Sequence, residues 1–400
     1  MAEPQQVTMN ASEDFHRNED GWQNSVIIIP ALLSGSTLIV VAIIFWKLIR
    51  SKRDKRKGSK DEMKDLDWAV NAAGIYENTL DALDTVLKKK QLPGDWTVEQ
   101  TELVCNGHFG PISWAVLCCS GETEDRQHVV LKELSELCSP GEVQDFIDLM
   151  KFYVQVCNHA SLVTMLWCKT DRRPPCLIMK AMSYGNLLAF LRNSHESVQA
   201  MEAAIPRITE KDVYSMASQV ASGLEYLSGT HDLAHGYVAA CNVLIHEDLS
   251  VQLCGLGMAA IQYRTGSIPA RRAAQVPLKW QSPERLNGGD ITEKSDMWSF
   301  GILLYEMVTL GSPPYPDLEP AQLPSKLQKN YRMERPAQCG HQLFEVMTSC
   351  WQWEAPRRPC FTDVVKQLQN VSDQADGHTP LTAMDTLSWR EYLHVAGIPS

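Results

Sequence analysis

Residues 234–242 read Ala-His-Gly-Tyr-Val-Ala-Ala-Cys-Asn. They follow a stretch with helical periodicity, EKDVYSMASQVASGLEYL (210–227), and precede the glycine-rich CGLGMA (254–259). The nine residues offer an imidazole, a phenol, a thiol and an amide, but no carboxylate. A phenol with an unperturbed pKa near 10 is a poor general base at neutral pH, so Tyr237 limits what this loop can do to a proton.

The flanking patterns divide the chain. Before the loop, between Trp96 and Lys180, run short β-type segments such as VVLKEL (129–134) and CLIMKA (176–181), with one helix between them. That helix opens on Ser139-Pro-Gly-Glu142, a capping box with proline in the first turn. After Gly185 helical patterns dominate, SDMWSFGILLYEMVTLG (295–311) among them. The expected layout is α+β and bilobal, a small strand-rich lobe before a larger helical one over 95–372. Residues 373–400 lack a sustained pattern and read as a flexible tail.

With 400 residues, 44% of them apolar and 21% charged, the chain can bury a large core. Its net charge of −11 argues against nucleic acid as a partner. Val26–Trp46 is a run of 21 residues without a charge, about 31 Å as a helix and long enough for a bilayer core. Trp22 and Trp46 flank it, and Lys47, Arg50, Lys52, Arg53, Lys55, Arg56 and Lys57 follow, whereas residues 1–25 hold only Arg17. The expectation is a single-pass membrane protein with its N-terminus outside. A signal peptide would want a basic start, a shorter apolar core and a small-residue cleavage site. The basic cluster suits anionic lipid at the inner leaflet, and Asn10-Ala11-Ser12 would place a glycosylation sequon outside.

Within 47–94, Leu66, Ala69, Ala73, Tyr76, Leu80, Leu83 and Leu87 mark one amphipathic helix. It would either pair two chains or dock on the following domain, and Ala31 with Gly35 offers a second route to a homodimer. All twelve cysteines follow the apolar run without Cys-x-x-Cys spacing, which favours reduced cytosolic thiols over a disulfide framework or zinc.

Taken in order, CNGHFGPI (105–112), VVLK (129–132), AMSYGNLLAFLR (181–192), HGYVAACN (235–242), CGLGMA, VPLKWQSPE (276–284), SDMWSFG and CWQWEAPRRPCF (350–361) resemble the motif set of the tyrosine-kinase branch of the protein kinases. The resemblance covers about residues 96–370. With the membrane run it suggests a receptor-like member in growth-type signalling, with other kinases or adaptor proteins as partners.

The resemblance implies ATP and Mg²⁺ as cofactors and a residue for each task. Cys105, Gly107 and Gly110 fall in the phosphate loop, Ile112, Val130 and Leu244 around the adenine, Met182 in the hinge, and Lys132 on the phosphates. Asn242 matches the second metal ligand. The departures are as informative. Tyr237 occupies the position of the catalytic carboxylate, and Gly255 that of the metal-binding aspartate. Gly236 and Cys241 replace loop arginines. The glutamate partner of Lys132 aligns with Leu149 or Met150, with Asp145 one turn earlier as the candidate substitute. Scaffold positions match: Asp296 should hold the loop backbone, and Glu284 should pair with Arg358. The reading is therefore a pseudokinase scaffold, with a weakly active tyrosine kinase and a nucleotide-binding switch as alternatives.

Overall fold

A computed structural model describes residues 85–119, 126–170, 174–200, 206–382 and 387–398. The expected membrane run, the sequon at Asn10, the basic cluster and all but the last turn of the amphipathic helix lie outside them. Among the described residues no helix is long and apolar enough to cross a membrane.

The first lobe is an antiparallel sheet of order β1-β2-β3-β5-β4, with β1 Trp96–Asn106, β2 Pro111–Cys119, β3 Arg126–Glu133, β4 Met165–Lys169 and β5 Cys176–Lys180. Side chains alternate across it. Ala115, Leu117, Val129, Leu131 and Ile178 form one buried cluster. Register pairs Ile112 with Lys132 and Trp114 with Val130, so these four share the opposite face, toward the second lobe. The short α1, Thr85–Lys88, ends the amphipathic pattern and buries Leu87 completely in the main core.

Helix α2, Pro140–Gln155, starts where the capping box predicts. The Ser139 N–H donates to Glu142 Oε2 at 2.7 Å, and Glu142 N–H to Ser139 Oγ at 3.4 Å. Its buried face joins the core of the second lobe. That lobe is built on α4, Glu210–His231, and α8, Glu293–Val308. The first has an apolar stripe from Val213 to Leu227; the second is buried nearly all round, as a central helix must be. Helices α3 (Leu187–Ala200), α10 (His341–Cys350) and α11 (Phe361–Ser372) surround them. A two-stranded ribbon, β6 (Val243–Ile245) and β7 (Val251–Leu253), carries the loop of interest to the mouth of the cleft. Helices α5 (Gly257–Thr265), α6 (Ala270–Ala273), α7 (Pro283–Leu286) and α9 (Leu323–Gln328) complete the chain order before α12, Trp389–Ala396.

The bilobal α+β expectation holds. The tail differs from it. Helix α12, Trp389–Ala396, is capped by Ser388, its Tyr392 and Ala396 are fully buried, and Leu381 is buried as well. The pattern is too short to read as periodic, and tertiary packing supplies what helix length does not.

Candidate catalytic and nucleotide site

The loop 234–242 is held from below. Asp296, buried on α8, accepts the backbone N–H groups of His235 (2.6 Å) and Gly236 (2.9 Å). Burial pushes its carboxyl up to about 7, against the pull of these two bonds. His235 is fully buried; its Nδ1 accepts from Tyr237 N–H at 3.2 Å, so Nε2 carries the proton and donates to Cys254 O at 2.7 Å. Burial lowers its pKa to about 4, keeping the ring neutral. Gly236 has φ +87°, a left-handed conformation that glycine adopts without strain.

Tyr237 is half-buried, edge-on to Trp280 at 6.2 Å, and its hydroxyl accepts from Cys241 Sγ at 3.7 Å. Burial pushes the phenol well above its ordinary range, which removes it further from service as a base. The Tyr237 carbonyl takes the Asn242 Nδ2 donor at 3.0 Å. Gly255 also has a positive φ, +78°, and a β-carbon built on it would lie 2.6 Å from Asn242 Oδ1. The amide of Asn242 therefore fills the space in which a side chain at 255 would begin. At the expected ligand positions a magnesium ion bound by oxygens finds one side-chain amide, Asn242, and no carboxylate at 255; Glu133 lines the same cavity, and Asp145 and Asp148 line the neighbouring one but are paired with Arg264, so the expected ligand pair is not present. Among the described residues no group of three His, Cys, Asp or Glu side chains converges elsewhere to hold a metal.

The loop over 105–112, expected to hold phosphates, folds against α2. Gly107 N–H donates to Gly110 O at 2.7 Å, and Ser135 N–H to Phe109 O at 2.7 Å. A β-carbon on Gly110 would come within 2.6 Å of Glu133 O, so only glycine allows this approach. Phe109 packs edge-on against Phe146 of α2, ring centroids 5.4 Å apart. A cavity of about 390 Å³ remains beneath, lined by Gly107, Gly110, Ile112, Lys132, Asn242 and Gly255 among others. Cys105 is exposed on β1, and neither it nor Val130, Met182 or Leu244 lines that cavity; Met182 is 4% exposed in the hinge.

Leu149, not Met150, faces the cleft. It lines this cavity and a neighbouring one of about 230 Å³, while Met150 is fully buried. Asp145 does not substitute for the missing glutamate. It pairs with Arg264 of α5 at 2.7 Å, and Asp148 with the same guanidinium at 3.3 Å. Among the described residues Lys132 forms no ion pair. Sequence reasoning missed Phe109, Arg264 and α5; the adjacent Tyr263-Arg264 in a segment without strong periodicity was the only available signal.

The scaffold pair forms as expected. Arg358, 2% exposed, grips Glu284 through both amino groups at 2.6 and 2.7 Å and donates to the carbonyls of Gln352 and Lys294. Glu284 sits below its usual carboxylate range: the Arg358 hydrogen bonds and charge outweigh burial, which acts the other way.

Two lobes, a strand-borne lysine, an aspartate-held loop and a buried glutamate–arginine pair define a protein-kinase domain. The chain belongs to the protein tyrosine and serine/threonine kinase family, whose model matches residues 98–368. Human tyrosine-protein kinase STYK1 is 36% identical over 392 residues, covering 94% of this chain and 92% of that protein. The mouse protein of the same name is 36% identical over 393 residues, with 94% and 91% covered. The Drosophila melanogaster tyrosine-protein kinase Abl is 31% identical over 297 residues, 73% of this chain and 17% of that protein.

Proposed function

We propose that this chain is a membrane-anchored, receptor-like tyrosine pseudokinase that presents its kinase domain at the inner membrane face as a signalling scaffold. The observation that carries the reading is the double loss of acidic oxygen, at Tyr237 and Gly255, with Asn242 packed into the second position. Losing a positioned base costs about 10² to 10⁴ in rate. Losing roughly 3 kcal/mol of metal stabilisation costs about another 10². From a typical 1–100 s⁻¹, about 10⁻⁶ to 10⁻² s⁻¹ remains, before the leucine at 149 is counted. Partners would be kinases or adaptors, anionic lipid at the basic cluster, and a second copy of the chain.

A weakly active tyrosine kinase is the second reading. It is favoured by the names of the STYK1 relatives, which are called tyrosine-protein kinases, and by Lys132 and Asn242 lining one cavity. The full-length chain and its Lys132→Met variant, incubated with ATP, Mg²⁺ and a tyrosine peptide, separate the two. Equal background transfer by both supports the scaffold. Transfer that depends on Lys132 overturns it, and ATP stabilisation that depends on Lys132 without transfer points to a nucleotide-binding switch.

A further inference from the structure

Helix α12 lies beyond residue 368, where the family model ends, yet it packs on α3, the helix that lies against residues 240–242 of the catalytic loop. Arg192 of α3 stands 4.9 Å from the Tyr392 ring and 5.6 Å from the Trp389 ring, and it donates to Leu387 O at 2.5 Å. The two rings stack at 5.4 Å with 9° between their planes. Tyr392 is fully buried, and burial above all, with Glu306 and Cys241 in its surroundings, holds its phenol well above its ordinary range. Glu306 is fully buried too; its Oε2 accepts from Trp280 Nε1 and Ala240 N–H, each at 3.0 Å. Among the described residues its Oε1 and the Tyr392 hydroxyl, both buried, find no hydrogen-bond partner.

We propose that residues 387–398 are a reversible, intramolecular occupant of the groove at the substrate end of the catalytic loop, with Tyr392 seated between Cys241, Glu306 and Arg192. While α12 is seated, a peptide cannot reach Cys241 and Tyr237 from this side. A partner that takes the groove must present the same chemistry, a helix with two aromatics one turn apart and a small residue one turn further, as Trp389, Tyr392 and Ala396 do. Eight residues make a marginal helix by themselves, and Trp389 is 53% exposed. The segment therefore belongs to the part of the molecule that opens below the global unfolding limit. The inference rests on the kinase fold and does not depend on the pseudokinase reading, since the same helix would guard an active loop.

The test is thiol labelling of the full chain, following Cys241 against the fully buried Cys350 by mass spectrometry. Arg192→Ala and Tyr392→Ala should each raise Cys241 labelling about two- to thirtyfold, the loss of one cation–π contact, with Cys350 unchanged. A synthetic peptide copying residues 385–400 should restore protection to the Tyr392→Ala chain, and the same peptide carrying that substitution should not. In the wild-type chain, amides of α12 should exchange with solvent faster than those of α8. Unchanged Cys241 labelling overturns the proposal. So does labelling that rises only together with Cys350, or α12 exchange at the α8 rate, because α12 would then be an integral part of the core.

Discussion

Replacing Gly255 by alanine should destabilise the kinase domain by about 2–3 kcal/mol, and aspartate should do no better. At φ +78° any side chain incurs the left-handed penalty, about 1–2 kcal/mol. The new β-carbon would also lie 2.6 Å from Asn242 Oδ1 and 2.7 Å from its Cγ, distances that force the amide to turn away. Turning it breaks the 3.0 Å bond to the Tyr237 carbonyl, about 1 kcal/mol more. Urea denaturation of the wild type, Gly255→Ala and Gly255→Asp, followed by tryptophan fluorescence, measures this. The alanine variant isolates conformation and contact from charge. Gly255→Asp alone should not restore phosphoryl transfer, because Tyr237 still stands at the base position. An alanine variant within about 0.5 kcal/mol of wild type, at the level expected for unremarkable sites, would refute the claim that Asn242 has closed the position.

Other outcomes follow from the same geometry. Arg358→Met leaves Glu284 partly buried without its cation and should cost about 3 kcal/mol, the low end for broken buried pairs because Glu284 is a third exposed; chemical denaturation reads it. Arg264→Ala removes a pair about a third exposed on each side, so global stability should change by about 1 kcal/mol or less, while amide exchange across α5 rises. Glu306→Gln should change the pH dependence of stability. Burial raises the Glu306 carboxyl to about 7, so its protonated form stabilises the folded chain below about 4.5 and that contribution is lost as pH rises through 7. Glutamine should therefore gain stability relative to wild type between pH 5 and 8, by about 3 kcal/mol at most; thermal melts of both chains across that range measure the difference, and a constant offset contradicts the buried-acid assignment.

The parts of this structure visible in the sequence are those with local signals. Ser139 and Glu142 marked the first residue of α2 because a capping box satisfies its own backbone groups and needs no distant partner. The order of motifs located Lys132, Asn242, Asp296 and the Glu284–Arg358 pair. What stayed hidden depends on which side chain meets which across space. Asp145 faces Arg264 instead of Lys132 because α5, nine residues long, docks on α2, and nothing in GMAAIQYRT has the length or periodicity to announce that. Ser388-Trp-Arg-Glu391 does carry a capping box, but a helix of eight residues is fixed by what it packs on, and Arg192, which meets both of its aromatic rings, lies far away in sequence.

The central claim is that positions 237 and 255 offer no acidic oxygen to handle a divalent cation, and the magnesium dependence of nucleotide binding tests it most directly. The full-length chain is melted with ATP in excess, with Mg²⁺ or with EDTA, alongside Asn242→Ala. The account predicts the same melting temperature in Mg²⁺ and EDTA. A magnesium-dependent rise of several degrees, about what 2.7 kcal/mol of ligand stabilisation produces, that is lost in Asn242→Ala would contradict it.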